Sequence, residues 1–333
     1  MKTLYGIQYL RAFAALAVVV FHAAERAGSH FAIGAAGVDV FFVISGFIMW
    51  VIAERRAVSP QSFIIDRIIR IAPSYWLVTA IMIAGAVAGL FPNMKLTAEH
   101  IIGSLFFIPV RSPSNGEIWP VLVQGWTLNF EMFFYSLFAI SLALPRRWRL
   151  GALAVMFFSF FAIGLILQPQ NAILATYTRP IILEFLGGVL IAQLWLRRYI
   201  AGTGLALACV CLSAAGFAAI YITGADFDER LCGPLALALV FGMVSLEGGG
   251  SIGRVPVLEY LGNASYSIYL WHTLAISVIV KVGGKIGLGH FPLILVAVIG
   301  GTLLGIAAYE CIEKPLRRVL SGHGRRRLTP GRA

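Results

Sequence analysis

The chain has 333 residues, 59% of them hydrophobic and only 12% charged, with a mean hydropathy of +0.86. A soluble domain averages about 45–50% apolar and about 25% charged residues, so the composition excludes a soluble globule and indicates one polytopic membrane domain. The formal net charge of +11 lies in short clusters between apolar runs, as in cytoplasmic loops, and no nucleic-acid partner is expected.

In chain order, ten apolar runs have the length of a membrane helix: about 7–27, 37–54, 71–91, 126–145, 150–168, 180–196, 202–223, 231–247, 264–282 and 291–313. The expected fold is all-α. The first run is not a cleaved signal, because Arg11 interrupts it and no small-residue cleavage site follows. Residues 98–110 are apolar but too short to span and predict a re-entrant or interfacial helix. Cys209, Cys211, Cys232 and Cys311 form no Cys-x-x-Cys pair and read as small core residues. The apolar domain is expected over 1–320, with a basic tail over 321–333.

Lys and Arg placement orients the runs. With the N-terminus inside, 18 of the 26 basic residues fall on inner connections and 7 on outer ones, Arg11 lying within the first run. Both termini are therefore expected in the cytoplasm. No inverted repeat of the transporter kind is visible.

Orientation converts sequence position into depth at about 1.5 Å per residue. An outer layer is expected to gather His22, Asp39, Glu131, Arg179 and Glu184, with His272 near mid-depth. An inner layer gathers Arg11, Arg67, Arg70, Glu310, Glu313 and Lys314. Ionisable residues at such depth face a cavity or one another. A histidine level with several carboxylates suits proton abstraction by an imidazole whose tautomer a carboxylate fixes. Arg67 and Arg70, three apart, share a helix face. Such a pair can hold phosphate, bind lipid headgroups, or serve as a positive-inside anchor.

Six stretches then coincide with one family. They are RAFAALAVVVFH from Arg11 to His22, GVDVFFVISGF around Asp39, RIIRIAPSYW with Arg67 and Arg70, WTLNFEMFFY with Trp126, Glu131 and Tyr135, LGNASYSIYLWH ending at His272, and YECIEKPLR. In this order the chain resembles the acyltransferase-3 family of integral-membrane O-acyltransferases, and most resembles its bacterial exopolysaccharide members of the succinoglycan kind.

The resemblance implies acyl transfer from a cytoplasmic thioester, usually acetyl-CoA, to a hydroxyl of a glycan or polyprenyl-linked oligosaccharide, in the bacterial inner membrane and without a metal. It implies the stand-alone type, lacking an added esterase-like domain. On that reading Arg11, Arg67 and Arg70 meet the coenzyme A phosphates and His22 deprotonates the acceptor hydroxyl. Asp39 and Glu131 orient His22 or bind sugar hydroxyls. Trp126, Tyr135, Arg179 and His272 are expected at the acceptor; interfacial belts explain such aromatics equally, and Arg179 either stabilises an oxyanion or pairs with Glu184. Membrane lipids are the remaining partners. The competing reading is a transporter or flippase of a lipid-linked glycan, against which stand the missing repeat and the six motifs.

Overall fold

The computed structural model describes residues 3–225 and 227–327. All regular structure among them is helical, the form that satisfies every backbone N–H and C=O within one segment where no water reaches. The long helices are α1 (Tyr5–Arg26), α2 (Gly37–Arg55) and α3 (Pro60–Val87). After a short α4 (Ala98–Leu105) come α5 (Trp126–Leu142), α6 (Arg146–Leu167) and a brief α7 (Ala172–Tyr177). The remainder are α8 (Ile182–Leu196), α9 (Thr203–Thr223), α10 (Glu229–Gly248), α11 (Pro256–Lys285) and α12 (His290–Ala308). A π-helical turn, Tyr309–Glu313, leads from α12 into α13 (Lys314–Arg327).

Nine helical stretches among the described residues are long and apolar enough to cross a membrane. The tenth expected run is α5, which has 17 residues, at the lower limit for a span. The chain is thus an all-α polytopic membrane protein. Expected and observed ends differ most at α3, which starts at Pro60 rather than near 71. Ser59 caps it, its Oγ accepting the Ser62 N–H at 3.2 Å, and a proline is tolerated at the first helical position. Of the expected basic tail, 321–327 extend α13 and 328–333 lie outside the described residues.

Close backbone approach holds the centre. A Cβ added to Gly46 would lie 2.0 Å from the Phe185 carbonyl oxygen, and one on Gly188 would lie 2.0 Å from that of Val43. Helices α2 and α8 therefore touch backbone to backbone, which small residues permit inside a membrane. Around them Phe42, Phe130, Phe134 and Phe185 form a buried aromatic cluster. Helix α1 packs on α11, which packs on α12. Helices α6 and α9 bury few residues and present Val155, Phe158, Leu212 and Ile222 outward, as lipid-facing helices do.

The feature that positions the site is the connection from α4 to α5. Val121, Leu122 and Gln124 are buried. The Gln124 amide donates to the Leu270 carbonyl (2.9 Å) and to Thr273 Oγ1 (2.6 Å), both on α11. Helix α5 consequently begins level with the middle of α11 rather than at the bundle end.

Candidate active site

A cavity of about 90 Å³ opens among α1, α2, α3, α5 and α11. Arg11, Arg67 and Arg70 line it together with Glu131, Tyr135 and Tyr266. Glu131 Oε1 accepts hydrogen bonds from Tyr135 Oη (2.9 Å) and Ser45 Oγ (3.2 Å), which fix the carboxylate against α2. Among the described residues none of the three arginines is in an ion pair. Arg11 has only a 3.4 Å contact to Gln8 Oε1, and Arg67 lies 5.9 Å from the Phe63 ring centroid. Arg11 is buried and Arg67 and Arg70 are half-buried, and guanidinium groups gathered in this way repel one another unless an anion compensates. The single lining carboxylate, Glu131, leaves an excess of positive charge, so the cavity suits an anionic group.

Beside the cavity lies a pair of imidazoles. The rings of His22, on α1, and His272, on α11, have centroids 5.2 Å apart. His272 is fully buried, and its Nδ1 lies 2.9 Å from the Ile268 carbonyl. A carbonyl only accepts, so Nδ1 carries the proton and Nε2 the lone pair. His22 Nδ1 lies 3.5 Å from Glu25 Oε2 one helical turn further along α1. Tyr269 joins the two regions, since it lines the cavity while its ring centroid is 6.1 Å from that of His272. Its hydroxyl is held by the Gln124 carbonyl and Thr127 Oγ1, each at 3.0 Å.

A third cluster forms where α2, α8 and α10 begin. Asp39 and Glu184 are buried as neighbours, and among the described residues no hydrogen-bond donor reaches either carboxyl group. Both stand in the first turn of a helix, where the macrodipole favours negative charge. Above them Arg179 Nη2 binds Glu229 Oε2 at 2.6 Å, and its guanidinium lies 5.7 Å from the Trp126 ring centroid.

The expected two layers thus become three clusters. Glu131 leaves the histidine and joins the arginines, because α5 starts deep in the bundle and carries Glu131 deeper. Asp39 turns to Glu184 on α8, so it does not orient His22. Arg179 takes Glu229 rather than Glu184. Of the inner layer, Arg11, Arg67 and Arg70 do converge, whereas Glu310 and Lys314 pair with each other at 2.7 Å on the surface. Glu313 is buried, accepting from Ser267 Oγ at 2.5 Å. Tyr135 lines the cavity and Trp126 lies outside it. Glu25 was absent from the expected site, although its spacing of three from His22 was a readable signal. Ser45 and Thr127 carried none, being ordinary small polar residues within apolar runs.

The polytopic helical bundle thus sets a cationic cavity beside a pair of histidines. The acyltransferase domain family matches residues 4–310, and the chain belongs to that family. It is 55% identical over 316 residues to the exopolysaccharide production protein ExoZ of Rhizobium meliloti (strain 1021), covering 95% of this chain and 98% of that protein. It is 29% identical over 332 residues to nodulation protein 10 of Rhizobium leguminosarum bv. viciae, covering 89% of this chain and 85% of the relative. No solved structure matches.

Proposed function

We propose that this acyltransferase moves an acetyl group from cytoplasmic acetyl-CoA to a hydroxyl of a bacterial exopolysaccharide or its lipid-linked oligosaccharide precursor, with His22 as general base. The protein would lie in the bacterial cytoplasmic membrane with both termini in the cytoplasm. The observation that carries this reading is the cavity with three guanidinium groups free of ion pairs among the described residues, lined also by Tyr269, which neighbours His272, itself the neighbour of His22. The similarity to an exopolysaccharide production protein supports the acceptor class.

Arg67, Arg70 and Arg11 hold the donor's phosphates by charge-assisted hydrogen bonds. The acceptor oxygen attacks the thioester carbonyl as its proton passes to His22. The new C–O bond replaces the C–S bond, and the departing thiolate takes up a proton to leave free coenzyme A. Arg179, with its guanidinium beside Trp126, would meet acceptor hydroxyls. A positioned general base contributes about 10²- to 10⁴-fold.

The test incubates purified protein with acetyl-CoA and soluble or polyprenyl-linked oligosaccharides, following thiol release and acetylated product by mass spectrometry. Wild type is expected to acetylate an acceptor, and His22→Ala to lose about 100-fold or more while still binding CoA. Product formation no greater than that of His22→Ala, across the acceptors, overturns the reading.

A further inference from the structure

The proposed reaction uses His22 but leaves unexplained the second imidazole beside it. His272 sits wholly inside the bundle on α11, and its Nδ1–H is committed to the Ile268 carbonyl. The lone pair on Nε2 has no hydrogen-bond partner in the resting arrangement, which for a buried acceptor is an unfavourable state that structures retain for a reason. The ring facing it is that of His22, at 5.2 Å between centroids and 34° between planes. The two rings are not hydrogen-bonded in this arrangement, but their spacing is short enough for a ring rotation to form an N–H···N bond of about 2.9 Å.

We propose that His272 is the positioning residue of the general base: once an acceptor is bound, its fixed Nε2 lone pair accepts the N–H that neutral His22 carries, which leaves the other His22 nitrogen free to take the acceptor proton. The inference rests on His22 acting as the base. Glu25 serves the other edge of the same ring, its carboxylate 3.5 Å from His22 Nδ1. A neutral His22 has one N–H and cannot satisfy both neighbours, whereas the imidazolium has two and can. The pair of acceptors therefore matches the protonated ring that exists after proton abstraction, and stabilises the charge that develops in the transition state. The Ile268 carbonyl has the part of the orienting group, setting the tautomer of His272 as a backbone acceptor does for a histidine ligand. Gly301 of α12 leaves room for this ring, since a Cβ there would lie 3.3 Å from His272 Cβ.

The experiment compares His272→Phe, which keeps ring volume but no acceptor, with His272→Gln, which restores an amide oxygen. His272→Phe should lower kcat about 10- to 100-fold with KM for acetyl-CoA and acceptor little changed, and His272→Gln should recover part of the loss. Adding His272→Phe to His22→Ala should cost nothing further, because the two act as a unit. Nitrogen-15 spectra of labelled histidines, with His22 assigned from His22→Ala, give a readout independent of turnover. The His22 ring signals should move in His272→Phe and return toward wild type in His272→Gln. A wild-type kcat in His272→Phe, or a loss additive with that of His22→Ala, or unmoved His22 signals, each overturns the inference. Failure of wild type to acetylate any acceptor instead overturns the proposed reaction.

Discussion

The carboxyl groups of Asp39 and Glu184 are neighbours inside the bundle, and among the described residues no hydrogen-bond donor reaches either. The pair joins α2 to α8 at the helix ends that carry the positive pole of the macrodipole. Asp39→Asn offers the Glu184 carboxyl an amide donor and is expected to keep the melting temperature close to wild type. Asp39→Ala leaves Glu184 buried with no polar neighbour at that position and should cost about 1–3 kcal/mol. Thermal melts in detergent distinguish the two; equal loss in both variants would mean that the carboxylate charge itself is required.

The α2–α8 contact leaves no room for a methyl group. Gly46→Ala and Gly188→Ala each force a Cβ onto a facing carbonyl oxygen, so the helices must separate. Each variant should lose at least about 1–3 kcal/mol, the range of overpacked cores. Gly202→Ala, where a Cβ meets nothing within 4 Å, is the control and should melt close to wild type.

Donor binding should depend on the cavity's cations. Each hydrogen bond to a charged group is worth about 1.5–3 kcal/mol, which is about 10- to 100-fold in Kd. Arg67→Ala with Arg70→Ala is expected to weaken CoA binding by at least that factor and to flatten its dependence on salt. Titration calorimetry at two ionic strengths measures both. Unchanged binding would leave these arginines as membrane anchors.

Arg179 separates stability from recognition. Its ion pair with Glu229 is partly exposed on the arginine side, at 43%, so Arg179→Ala should change stability by about 1 kcal/mol or less. If it serves the acceptor, KM for the acceptor rises while that for acetyl-CoA stays. An unchanged acceptor KM would confine Arg179 to its partner Glu229.

Topology is open to direct measurement. With the positive-inside bias, a fluorescent reporter fused after residue 320 should light up in the cytoplasm, and a phosphatase fused in the α4–α5 connection should be active outside. The reverse pattern would invert the bundle and move the arginine cavity to the outer face.

Much of the fold was legible in the sequence. The ten apolar runs predicted the ten long helices, because in lipid the length and hydropathy of a segment decide whether it spans. The site was legible in part. Arg11, Arg67 and Arg70 were grouped from depth alone and do share a cavity, since all three lie near the same end of adjacent helices. The grouping of Glu131 with His22 failed because its depth was counted from the wrong origin. The polar residues of the α4–α5 connection gave no sign that they would insert into the bundle and be held by α11.

What the sequence determined by itself, then, was the number of helices, the motifs of the family and the rough depth of each charged residue. Only the tertiary structure decided who faces whom. Direction around a helix turns by about 100° per residue, and in apolar runs with little amphipathic pattern the choice of neighbour is made by packing. Close contact through Gly46 and Gly188 turns Asp39 toward Glu184, and the α1–α11 interface brings His22 against His272.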